Sequence, residues 1–370
     1  MKTATSNASP RITYLDTAKA LGIFLVFYGH IVSEISGLGS QAAFIQYKFI
    51  FSFHMPFFFL VAGFFFRRRF QSLGREMKDL FLKRMLPVYL FGLIMLPLWP
   101  LYRYLILGYV DIPIFSEKVL PYLKGQPELN PITWFLVCLF TTEIIAALVL
   151  SKTRRTLWGF VTAVLFLAFG LYLTANIRQA EQLFGIYKNT WYIHEALVAF
   201  GFYALGYFSF PIIKPVLQGK AIWRFLLLIL VIGITLATFS LNAPYPEFVV
   251  IIKESWHGNS GWFLISAVSG SLMLLLLATL VPSTRAITFI GKNTLILLGM
   301  NGIFHTFVNI HIATKVNNLE SVWVITGISL SGSILSILLS VPVIFLLNRY
   351  LPQLVGRPQQ KGPWLPALEE

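Results

Sequence analysis

Ten runs of mostly apolar residues divide this chain, at roughly 17–35, 44–66, 85–109, 131–150, 157–175, 192–210, 222–240, 261–281, 286–310 and 322–347. An α-helix rises about 1.5 Å per residue, so about twenty such residues cross a hydrocarbon layer about 30 Å thick. Stretches such as Phe225 to Ala237 and Leu272 to Leu280 are apolar on all sides, which suits a helix in lipid or inside a large bundle. Strands of a membrane barrel would be about ten residues long and would alternate. With 56% hydrophobic and only 12% charged residues, the chain carries more apolar surface than a water-soluble globule can hide. A cytosolic enzyme, a disulfide-stapled secreted domain and a disordered chain are all excluded. The expected fold is all-α, a polytopic bundle of about ten transmembrane helices. Residues 1–350 form one membrane domain, and 351–370 a short tail that is Pro-rich from Pro352 and expected to be disordered. The sixth run is the least regular, because His194 and Glu195 stand at its start. Cys138 is the sole cysteine, which leaves no intramolecular disulfide and no Cys-based metal site. The polar start, Met1 to Thr13, gives no expectation of a cleavable leader.

The charges are few but lopsided. Lys and Arg number 29 against 15 Asp and Glu, a net +14. Cytoplasmic segments of membrane proteins are enriched in Lys and Arg. If the N-terminus is cytoplasmic, twenty of the 29 fall in inner segments, eight in outer segments and only Lys19 within a span. That bias predicts an even number of spans with both termini inside. Seven of the twenty sit in one inner loop: Arg67, Arg68, Arg69, Arg75, Lys78, Lys83 and Arg84. The loop has two readings. It is an orientation signal that also attracts anionic lipid, or it grips a phosphorylated cytosolic donor, since arginines bind phosphate bidentately.

Ionisable groups at bilayer depth are costly unless paired or hydrated, so each is a functional candidate. The first run holds Asp16, Lys19 and His30. Lys19 and His30 are eleven residues apart, which returns them nearly to one helix face about 16 Å along the axis. Asp16, three residues before Lys19, can pair with it. The plainer alternative is that Asp16 and Lys19 mark the helix start and His30 bonds a facing helix. In Phe53-His54-Met55-Pro56-Phe57, His54 lies near the depth of His30 and either stabilises a kink or takes part in chemistry. Glu143 orients a histidine, binds a proton, or pairs with a basic group. His305, near an outer helix end, is the least informative of the set. No H-x-x-x-H pair occurs, and nothing in the pattern asks for a metal. Trp134, Trp191, Tyr192, Trp256 and Trp262 fit an interfacial aromatic belt, with sugar stacking as a secondary reading.

Leu15-Asp16, Lys19 and Gly29-His30 together resemble the first-span signature of the type-3 acyltransferases, integral membrane enzymes that acylate surface polysaccharides and related glycoconjugates. That family's basic residue, ten residues and a histidine are met by Lys19 and His30, with Lys in place of the usual Arg. His54-Met55-Pro56-Phe57-Phe58, Ala62-Gly63-Phe64 and the Arg67-x-Arg69 pair resemble its second motif. Trp134-Phe135-Leu136 and Gly291-Lys292-Asn293-Thr294 resemble later landmarks. The resemblance implies an enzyme of the bacterial inner membrane that takes an acyl group, most often acetyl, from acyl-CoA to a hydroxyl of a polysaccharide or lipid-linked sugar. Acetyl-CoA is then a donor substrate, and no cofactor is bound. Arg67 and Arg69, helped by Lys83 and Arg84, would hold its phosphates. His30 would be the general base, with Lys19 and Asp16 beside the path, and His54, Glu143 and His305 as auxiliaries. The basic excess then speaks for a membrane surface and a phosphate-rich donor, not for nucleic acid. The competing class is a transporter or flippase for polysaccharide or lipid-linked sugar, which would show paired broken helices in two halves.

Overall fold

The computed structural model describes residues 12–67, 72–108, 115–150, 157–316 and 320–369. Its helices run α1 Thr13–Gly37, α2 Gln41–Phe51, α3 His54–Phe64, α4 Leu73–Leu80, α5 Leu86–Leu107, α6 Trp134–Val149, α7 Leu157–Ala175, α8 Ile177–Phe184, α9 Ile193–Leu217, α10 Ala221–Thr238, α11 Ser260–Leu280, α12 Arg285–Lys292, α13 Thr294–Phe304, α14 Ile310–Val316 and α15 Val322–Tyr350. They make ten segments long and apolar enough to cross a membrane. Among the described residues there is no strand, only an isolated bridge between Ile251 and Trp256. The fold is therefore the expected all-α bundle. The sixth span is fully helical, with His194 and Glu195 buried at its start.

Three spans depart from single straight helices, and each departure falls on a candidate residue. The second is α2 and α3 with a break at Ser52-Phe53. Pro56 has no N–H to continue the ladder across the break. The third begins at Leu73, earlier than expected, because α4 runs through a π-helical turn, Phe81–Met85, into α5. The ninth is Thr294–Val316, shifted from the expected 286–310, and contains a second π-helical turn, His305–Asn309. The residues before it form the separate amphipathic helix α12. Asn293 marks that boundary: its amide donates to the Phe289 carbonyl at 2.8 Å and its Oδ1 accepts from Asn348 at 2.8 Å and Arg357 at 3.1 Å. A π turn inserts one residue into the spiral and re-aims side chains, and such turns concentrate at functional sites.

Helix α1 runs through the middle of the site-bearing region and packs on α2, α3, α11, α12, α13, α14 and α15. Close approach elsewhere depends on small residues. A Cβ on Gly63 would strike the Tyr203 carbonyl, and one on Gly206 the Leu60 carbonyl, so α3 and α9 cross with backbones nearly touching.

The tail corrects the expectation of disorder. The buried Gln353 donates to the carbonyls of Leu365 at 2.5 Å and Pro366 at 3.0 Å, and Trp364 lies on Tyr350 with ring centroids 4.8 Å apart. Glu369 then reaches Lys83 at 3.2 Å. The prolines make tight turns here, and a buried amide satisfies the turn carbonyls.

Candidate active site

One stripe of α1 supplies the site. Lys19, Ile23, Val26 and His30 are spaced four, three and four residues apart, so they share a face. Of three cavities here, two lie along that face and the other shares lining with one of them. The first, about 200 Å³, is lined by Arg67, Glu76, Lys83, Arg84 and Glu143 beside Ala62, Phe65 and Tyr203. The second, about 230 Å³, adds Lys19, Ile23, Val26 and Phe58 and shares Ala62, Phe65 and Arg84 with the first. The third, about 160 Å³, holds His30, His54, His305 and Lys253. Val26, Met55, Phe135 and Leu298 line both the second and the third. The cavities thus form a series with a basic mouth near the start of α1, an apolar waist and an imidazole chamber.

At the mouth, Arg67 is exposed, and Arg69 lies outside the described residues. Arg84 is committed to Glu143 by a fork: Nε to Oε2 and Nη2 to Oε1, both at 2.7 Å. Of the three readings of Glu143, the structure shows the pairing with a basic group. The π turn carries Lys83 and Arg84 on neighbouring directions, so Lys83 meets Glu369 while Arg84 meets Glu143. Lys19 pairs with the buried Asp16 at 2.9 Å, and its ammonium lies 6.0 Å from the Phe65 ring centre. Lys19 is not the sole span cation that the sequence suggested: the observed helices also carry Lys48 and Arg84 inside spans.

In the inner chamber the rings of His30 and His305 have centroids 4.6 Å apart. His305 Nδ1 is 3.3 Å from Glu34 Oε1. Phe51 stands edge-on to His30, at 5.9 Å between centroids, and 4.5 Å from His54. His54 Nδ1 lies 3.0 Å from the Ile50 carbonyl, left at the α2–α3 break. A carbonyl only accepts, so Nδ1 carries the proton and Nε2 is the lone-pair nitrogen of the neutral ring. The break in the second span therefore fixes a tautomer as well as a kink. His305, expected near the outer end of its span and read there as more often bland than catalytic, lies mid-span and sits beside His30. Two further residues were missed. Glu34 had a signal, since it stands four residues after His30 on the same helix. Lys253 had none, because it belongs to a loop between spans.

Among the described residues no group of three or more His, Cys, Asp or Glu is placed to hold a metal ion. The chamber brings together three imidazoles and an ammonium, with the Glu34 carboxylate 3.3 Å from one of the rings, groups that can accept, donate or stabilise charge. Ten such spans around this series of polar cavities define a multi-pass membrane protein. A family model described as an acyltransferase domain matches residues 12–349, and the chain belongs to this acyltransferase 3 family. No curated protein and no solved structure matches the chain.

Proposed function

We propose that this membrane acyltransferase moves an acetyl group from acetyl-CoA to a sugar hydroxyl of a surface polysaccharide or its lipid-linked precursor, with His30 as general base. The observation that carries the reading is the series of cavities joining a cationic mouth to the imidazole chamber. Arg67 and Arg69 take the donor phosphates, Lys83 and Arg84 flank them, and the thioester arm passes Lys19 and the waist. In the chamber the acceptor hydroxyl gives its proton to His30 as its oxygen attacks the thioester carbonyl. The tetrahedral adduct collapses, the C–S bond breaks, and the proton passes to the departing CoA thiolate. The His305 ring packs against His30, and the Glu34 carboxylate lies 3.3 Å from the His305 Nδ1, where it would favour a proton on that ring. In this reading the mouth and both termini face the cytoplasm of a bacterium, where CoA esters are made; the charge bias supports that orientation.

A transport role would leave the basic mouth and the histidine pair without a chemical task. The test is titration of the purified protein with acetyl-CoA, wild type against Arg67→Ala. Saturable binding weakened by the substitution supports the reading. Absence of binding in the wild type contradicts it.

A further inference from the structure

The imidazole chamber contains a fourth polar group that proton transfer to His30 does not use. Lys253 lines it, from the segment between α10 and α11. This lysine sits in a four-residue turn built with unusual care. Ile251 and Trp256 exchange backbone hydrogen bonds of 2.9 and 3.1 Å across it, and Ile252–Glu254 make a 3-10 turn. Ser255 closes the turn with φ of +57°, the left-handed region that a serine enters only at a cost. The Ser255 hydroxyl donates to the buried Glu195 carboxylate at 2.6 Å and holds that geometry. Three successive side chains then diverge. Ile252 is buried, Glu254 is drawn away by Lys188 at 2.7 Å, and Lys253 faces the chamber. Lys188 also covers Trp256, at 5.8 Å from the ring centre. Among the described residues no carboxylate pairs with the Lys253 ammonium.

Every other cation along the path is engaged or lies at the mouth. Lys19 has Asp16, Lys83 has Glu369, and Arg84 has Glu143. A half-buried ammonium held on a rigid turn beside a general base has one obvious electrostatic task in acyl transfer. We propose that Lys253 is a catalytic residue that stabilises the oxyanion formed on the acyl carbonyl. The inference rests on the acyl-transfer reading above. As the acceptor oxygen bonds to the carbonyl carbon, the C=O electron pair moves onto oxygen, and Lys253 meets that charge while His30 holds the acceptor's proton. When the C–S bond breaks, the pair returns to the carbonyl and the charge leaves with the thiolate, which takes the proton from His30. A donor fixed where charge develops acts on the transition state far more than on bound substrate.

The experiment uses the full-length protein in membrane vesicles, with acetyl-CoA as the probe and liberated CoA thiol as the readout, against a His30→Ala background. Lys253→Met keeps the length and removes the charge. It should lower the maximal rate about 100- to 1000-fold, the loss typical of a deleted oxyanion donor, while the KM for acetyl-CoA stays within about twofold. Lys253→Arg should recover most of that loss. Ser255→Ala, which frees the turn but keeps the ammonium, should lower the maximal rate by a smaller factor, again without moving KM. This second variant decides the matter if Lys253→Met does not accumulate. A Lys253→Met rate within about fivefold of wild type, or a loss confined to KM, would overturn the proposal and make Lys253 a binding or purely structural residue. Wild-type vesicles no faster than His30→Ala would overturn the acyl-CoA reading and this inference with it. Active wild type with an equally active Lys253→Met would overturn this inference alone.

Discussion

The forked pair between Arg84 and Glu143 supplies the most demanding test of the mouth. Both hydrogen bonds are 2.7 Å, and the side chains are 29% and 10% exposed. Removing one member of a fully buried pair costs about 3–5 kcal/mol, because the survivor is left as an unpaired charge in low dielectric. Arg84 keeps some access to water, so Glu143→Leu should cost about 2–3 kcal/mol, just below that range. Arg84→Met should cost about the same. Replacing both should cost much less than the sum, because neither charge is then stranded, and the coupling from the cycle should be about 2 kcal/mol. The assay is SDS-induced unfolding in mixed micelles, followed by Trp fluorescence, for the wild type, two single variants and the double variant. A coupling below about 0.5 kcal/mol would refute the pairing, since contacting charges measured this way exceed it. The same variants separate stability from function. The double variant should be about as stable as either single variant yet raise the acetyl-CoA KM about tenfold, the loss expected for one charge-assisted hydrogen bond of about 1.4 kcal/mol. An unchanged KM in the double variant would remove Arg84 from donor binding.

Glu369 occupies Lys83, so a donor phosphate has to displace it; Glu369→Gln should lower the acetyl-CoA KM about two- to fivefold, the worth of a modest ion pair, and a raised KM would contradict that competition. Lys19→Arg should keep acyl transfer, whereas Lys19→Ala removes the ammonium that pairs with Asp16 beside the path and should reduce the rate at least about tenfold; equal rates in both would deny the charge a role. His257 lies in the loop between α10 and α11, where burial pushes its imidazole down to about 4. The unfolded chain takes up the proton first, near the ordinary value of 6.5, so this group's contribution falls as pH drops from about 6.5 towards 4. It should lower unfolding free energy by about 2 kcal/mol between pH 7 and pH 5. His257→Asn should flatten that slope in pH-dependent melting, and an unchanged slope would assign it to other groups.

Much of the architecture could be read from local pattern. Ten apolar runs give ten spans because each needs only its own twenty residues to be apolar. The Lys19 to His30 stripe also follows from helix period alone, and the pairing of Asp16 with Lys19 from their spacing. What escaped was long-range. Arg84 finds Glu143 59 positions away, and His305 arrives beside His30 from the middle of the ninth span. No local period encodes either meeting. The π turns under Lys83, Arg84 and His305 re-aim those side chains by one residue, which a fixed 3.6-residue period does not anticipate. The tail was misjudged because Pro-rich composition was weighed and the buried amide of Gln353 was not. Lys253 counted only as one of eight outer charges, since a turn's direction depends on Ser255 and Glu195 meeting across 60 residues.

The central claim is that His30 is the base of an acyl transfer to surface glycan. Mass analysis of surface glycans from cells carrying wild-type protein, His30→Ala protein or neither tests it directly. The account predicts an acetyl mass present with the wild type and missing with His30→Ala at equal membrane abundance. An acetyl mass retained in the His30→Ala cells, above that of cells lacking the protein, would contradict it.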